Sequence, residues 1–164
     1  RELNMVRTDV EAVVDLCSRC VPAMHQRGRG AVLNVASTAA FQPIPGQAGY
    51  SASKAFVLTY TRALRQELRG SGVSVTALCP GPGETAVATT AGSSDEEAAA
   101  AMPKFMWVDA PSVAAQAVAA LDADREVVIP GAANRISAYA AHLTPRRVLL
   151  PILARQHPAL RRER

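Results

Sequence analysis

Three short apolar runs, "AVLNVAS" at 31–37, "VSVTALC" at 73–79 and "EVVIP" at 126–130, are set along the chain with helical periodicity between them. Each is rich in aliphatic residues and flanked by glycine, proline or charge, as a short buried strand would be. Residues 5–27 carry apolar positions three and four apart, and the spacing returns over 51–68 until "RGSG" stops it. "DAPSVAAQAVAAL" opens with an N-cap aspartate and a proline, and a further helix is expected over 132–143. Residues 84–107 are expected to be irregular. Helix and strand alternate throughout. That order predicts an α/β fold, a parallel sheet with covering helices, in which ligands gather at the carboxyl ends of the strands.

With 164 residues, 49% of them hydrophobic, the chain has the length and apolar content for one buried core. No apolar run approaches the roughly 20 residues needed to cross a bilayer, and no signal peptide is visible, so a cytoplasmic protein is expected. The chain begins at Arg1, as a fragment or processed product would. Its net charge of +4 is a property of one end, since residues 144–164 hold six arginines and one glutamate. The expected division is therefore a domain over 1–143 and a basic tail over 144–164. The tail reads as solvated, with at most a weak contact to an anionic membrane surface and no nucleic-acid partner. "CSRC" at 17–20 has the spacing of a redox or zinc motif. It lies within the run Val10, Val13, Val14, Cys17, Val21, Met24, so both cysteines are expected in a helix core with no metal. His25, His142 and His157 lie near no nucleophile pattern and read as surface or helix-end residues.

"YSASK" at 50–54 places a phenol and an amine one helical turn apart, on one face. A free phenol, with a reference pKa near 10, is a poor base at neutral pH, and a nearby ammonium favours the phenolate. The pair Tyr50 and Lys54 thus suits proton exchange with a carbonyl/alcohol couple. A hydroxyl that steadies the substrate oxygen is also needed, and Ser37, at the end of its strand, could supply it. The four-residue spacing alone is common. Its combination with a serine thirteen residues earlier and "PGPGET" after the next strand is far less so.

That combination resembles the short-chain dehydrogenase/reductase family over nearly the whole chain. The resemblance implies a Rossmann-like parallel sheet with covering helices, of which this chain carries the carboxyl-terminal part only. It implies that Tyr50 is the catalytic acid/base and also binds the cofactor, that Lys54 tunes it and holds the nicotinamide ribose, and that Ser37 binds the substrate oxygen. It also implies that Pro80 and Gly81 lie along the nicotinamide, with Thr85 on its carboxamide. The cofactor would be NADP or NAD. The wording "RGRGAVLNVASTAAFQPIPGQAGYSASKAFV" is most similar to the branch of 3-oxoacyl reductases and hydroxysteroid dehydrogenases, and "VVIPGAANR" fits that branch too. The implied activity is hydride transfer between the nicotinamide and a carbonyl or secondary alcohol, with a 3-oxoacyl or other lipophilic ketone as substrate. Residues 86–107 would cover the substrate, with Met102, Phe105, Met106 and Trp107 as apolar contacts. The helices at 5–27 and 51–68 would form a homodimer or homotetramer face.

Two departures stand out. The family's phosphate-binding glycine turn is absent, and "GPGETA" at 81–86 is read as the nicotinamide-side segment instead. Without the preceding strands, the strand at 31–37 would keep an unpaired edge. The position that is usually asparagine in the family is Asp9, aligned by Pro22 and Met24. An ionised aspartate only accepts hydrogen bonds, so a water relay or helix distortion built on that asparagine would be impaired. Both departures leave open a non-catalytic member acting as a binding or membrane-surface protein.

Overall fold

The computed structural model describes residues 2–81 and 103–156. Thr85, the expected substrate cover from residue 86 through Met102, and residues 157–164 with His157 lie outside the described residues. Helix α1 (Glu2–Val6) runs through a π-helical turn (Arg7–Glu11) into α2 (Ala12–Gln26). Strand β1 (Gly30–Val35), a 3-10 turn (Thr38–Phe41), α3 (Ala48–Glu67) and β2 (Val73–Leu78) follow. After a 3-10 turn at Lys104–Met106 come α4 (Ala110–Asp122), β3 (Val127–Val128), α5 (Ala132–Leu143) and α6 (Arg146–Gln156).

The sheet has the order β1-β2-β3, all parallel, with Gly30 opposite Val73, Val35 opposite Leu78 and Leu78 opposite Val128. Strand β2 is central and covered on both faces. Alternate residues Val75, Ala77 and Cys79 point into clusters formed with Cys17, Val21, Val57, Leu58, Leu64 and Leu68 of α2 and α3. On the other face α4 packs against all three strands and buries Ala117 and Ala120. A buried polar chain fixes the register of the first face: Asn34 Nδ2 donates to Thr61 Oγ1 at 3.0 Å, and Cys17 Sγ donates to Asn34 Oδ1 at 3.7 Å. At the lower end of the sheet, Gly72 has φ +77° and a Cβ there would collide with Gly28 O, so the two strand-entry turns pack directly on each other.

Three details differ from expectation. Cys17 is buried but Cys20 is exposed, because three residues turn the helix by 300° and carry Cys20 off the core stripe. The third strand is two residues long rather than five, although Glu126 O still accepts from Ala77 N at 2.9 Å. Part of the basic end is helical: α6 buries Leu149, and Arg146 Nη2 reaches toward Phe41 O at 3.5 Å.

Candidate active site

The site lies where β1, β2 and the start of α3 meet. Thr38 N donates to Pro80 O at 2.9 Å and Ala36 N to Leu78 O at 2.7 Å, so the segments leaving β1 and β2 remain paired beyond the strands. Ser37 is thereby held beside the Pro80–Gly81 segment. Its Oγ accepts from Ala39 N at 3.1 Å, capping the 3-10 turn. A hydroxyl has one donor and two acceptor positions. The cap takes an acceptor position and leaves the O–H available to a substrate oxygen.

Tyr50 is the third residue of α3, half-buried, in a turn clamped to the preceding loop. Ser51 Oγ accepts from Ile44 N at 3.3 Å and donates to Ala48 O at 3.3 Å. The clamp replaces the side-chain cap that Gln47 does not supply. One turn on, Lys54 folds inward, with its Nζ 5.8 Å from the Tyr50 ring centroid. The ammonium donates to Asp9 Oδ1 at 3.3 Å and to Val35 O, at the end of β1, at 3.4 Å. The Lys54 side chain is only 13% exposed and that of Asp9 22%. Tyr50 and Lys54 share one face of α3, and Lys54 also forms an ion pair with Asp9 that the spacing gives no hint of.

Asp9 lies inside the π-helical turn, so the helix distortion is present despite the carboxylate. A π-turn widens the helix by one residue and swings one side chain out of its usual row. Here that side chain spans from the first helix to the lysine. Two of the three ammonium donors are taken by Asp9 and Val35, which leaves one for a third acceptor such as a ribose hydroxyl. On that donor set, Tyr50, Lys54 and the Pro80–Gly81 segment fit the nicotinamide half of a dinucleotide.

Cys79 directly follows β2, beside Ser37, but takes no part in the surface of the site. It is fully buried, and burial pushes its thiol up to about 12, against smaller opposing influences from Arg62 and the Ser37 backbone N–H. A thiol so held is an inert core group. Two hollows of about 580 and 470 Å³ occur elsewhere, the first by Arg65, Arg69 and Asp124, the second between Ile44, Ala52, Ala55 and Leu150. Neither is lined by Ser37, Tyr50 or Lys54. Of the expected apolar contacts, Phe105 is 75% exposed while Met106 and Trp107 are partly buried. One residue that sequence reasoning passed over, Asn134, sits fully buried against Gly81.

The family model described as short chain dehydrogenase matches residues 3–96. The ketoacyl reductase HetN of Nostoc sp. is 35% identical over 115 residues, covering 70% of this chain and 38% of the relative. The 17-beta-hydroxysteroid dehydrogenase type 3 of Mus musculus is 38% identical over 77 residues, covering 47% of this chain and 25% of the relative. A short-chain dehydrogenase from Sphingobium yanoikuyae, solved in complex with NADPH, superposes with a TM-score of 0.69 at 28% identity. That match takes in 89% of this chain and 54% of the other, so the chain spans well under two thirds of the relatives' own length. The parallel sheet, the capped serine at the end of β1, the tyrosine–lysine turn and the match over more than half its length make this chain a member of the short-chain dehydrogenase family.

Proposed function

We propose that the protein carrying this chain is an NAD(P)-dependent reductase of a carbonyl compound, with Tyr50, Lys54 and Ser37 as its reacting group, tuner and oxygen holder. The observation that carries the reading is the inward ammonium of Lys54, held 5.8 Å from the Tyr50 ring on one face of α3. When bound, the nicotinamide supplies the hydride that reaches the carbonyl carbon. Tyr50 gives its phenolic proton to the carbonyl oxygen as charge grows there, and in the alcohol-to-ketone direction the phenolate takes that proton back. Ser37 donates its free O–H to the same oxygen, stabilising it most when it is most negative. Lys54 steadies the phenolate left behind and offers its remaining donor to the ribose. Pro80 and Gly81, and Thr85 beyond the described residues, complete the nicotinamide side. Relatives named for a ketoacyl group and for a hydroxysteroid support a lipophilic ketone, and Phe105, Met106 and Trp107 supply apolar surface for one.

The test is NADPH binding by the full-length product, followed by NADPH oxidation with a panel of 3-oxoacyl and bulky ketones. Turnover that falls at least about 100-fold in Lys54→Ala, with weaker NADPH binding, is the expected result. Failure to bind NADPH or NADH overturns the reading.

A second reading, a non-catalytic binding protein of the same family, draws on Asp9, whose carboxylate offsets the charge that Lys54 offers to the phenol. The same titration decides it. The exposed Leu3 and Leu16 of the first helices and Phe56 of α3 support a homodimer through these faces, which sedimentation equilibrium would detect. No helix among the described residues is long and apolar enough to cross a membrane. Salt-sensitive liposome binding lost on removing residues 144–164 would instead assign a membrane-surface role to the basic end.

A further inference from the structure

Asn134, in the first turn of α5, is 1% exposed and joins three separate stretches of backbone. Its Nδ2 donates to Met106 O at 2.8 Å and to Pro130 O at 3.0 Å. Its amide is pressed against Gly81, where a Cβ would come within 2.5 Å of both Nδ2 and Oδ1. Gly131, at φ +85°, closes the cluster: a Cβ there would meet Val108 Cγ2 at 3.0 Å and Asn134 Nδ2 at 3.1 Å. The absent side chain of Gly81 is therefore filled by Asn134 on this side. Asn134 Oδ1 is buried and has no hydrogen-bond partner among the described residues. Leaving a buried carbonyl oxygen unpaired costs stability, so its retention here calls for a compensating role.

We infer that Asn134 is a positioning residue that sets the Pro80–Gly81 segment, just after β2, relative to the segment around Met106. The inference rests on the proposed function for its consequence, because those stretches would be the nicotinamide side and the apolar substrate side of one site. A buried amide of fixed size, bonded to one stretch and abutting the other, makes a shift in either felt by both. Neither leucine nor aspartate can replace it. Leucine lacks the two donors, and aspartate would face two carbonyl oxygens with acceptors only.

A double-substitution cycle on the full-length product tests this, with Gly81→Ala, Asn134→Ala and the pair, reading NADPH affinity and hydrogen exchange over 104–108. Gly81→Ala is expected to weaken NADPH binding about tenfold, and by less than about twofold when Asn134→Ala has made room for the added methyl. Asn134→Ala alone is expected to speed exchange at 104–108 and to raise the ketone KM more than it lowers kcat. Equal losses from Gly81→Ala in both backgrounds, or exchange unchanged by Asn134→Ala, would overturn the inference. If the wild type binds no nicotinamide cofactor, the proposed function fails. Hydrogen exchange over 104–108 in Asn134→Ala then decides the inference alone. Should Asn134→Ala not fold, Asn134→Ser in the same cycle gives the same readouts.

Discussion

At the scale of single residues, the site turns on one ammonium and the two oxygen groups around it. Lys54 Nζ lies 3.3 Å from the Asp9 carboxylate, closer than its 5.8 Å to the centre of the Tyr50 ring. The carboxylate orients the lysine and also opposes its field at the phenol. Asp9→Asn keeps an acceptor and removes the charge, so kcat for ketone reduction at pH 7 is expected to rise about 3- to 10-fold. An unchanged or lower kcat would mean that orientation outweighs the opposing charge. Cys79 makes a different, pH-dependent prediction. Its thiol is raised from an ordinary value of 9.0 to about 12 by burial, so the folded state prefers the neutral form. That contribution is whole below about pH 9 and is lost as pH rises toward 12, by up to about 1.4 kcal/mol per unit. Denaturant titrations from pH 8 to 10.5 should show this decline in the wild type and a shallower one in Cys79→Ala. Identical slopes would contradict the burial account.

At the scale of elements, helix ends place the chemistry. Asp109 caps α4 by accepting from Ser112 N at 2.8 Å and from Ser112 Oγ at 2.7 Å, and these bonds hold its carboxyl below the usual carboxylate range. Asp109→Ala is expected to lower Tm by a few degrees, and the difference from wild type should vanish as acid protonates the cap. A difference that persists at pH 2 would mean the aspartate acts otherwise. The same cap was legible in "DAPS", and α5 begins and ends where its periodicity does, at 132 and 143. Elements with a local signal were readable in this way. The π-turn was not, because one inserted residue leaves the apolar spacing of 5–27 almost intact. Helix α6 was masked by its arginines and by Pro151, and its order comes from burying Leu149 against the rest of the fold. The pair Tyr50 and Lys54 was readable because one turn of helix links them. The contacts of Asp9 with Lys54 and of Asn134 with Gly81 span 45 and 53 residues, distances over which a lone sequence carries no pairing signal.

At the scale of the molecule, the sheet of the described residues has two edges, β1 and the two-residue β3, and the longer is β1. Strand β1 pairs only with β2 among the described residues, so its outer backbone groups and the half-exposed Val35 face outward. Such an edge templates strand addition unless it is covered or charged. The 164-residue chain alone is expected to self-associate at tens of micromolar, and Ala31→Lys on that strand to slow the rise in light scattering several-fold. Equal scattering by both chains would place the association elsewhere. The parallel sheet also brings the ends of β1 and β2 together, so that Ser37 lies beside Pro80, and Lys54 of α3 reaches the end of β1 at Val35 O. The most direct measurement is single-turnover NADPH oxidation by a ketone in Tyr50→Phe of the full-length product, with cofactor affinity measured alongside. Removal of the phenolic oxygen is expected to slow turnover about 1000-fold while NADPH affinity stays within about threefold of wild type. Turnover within tenfold of wild type would contradict proton transfer by Tyr50.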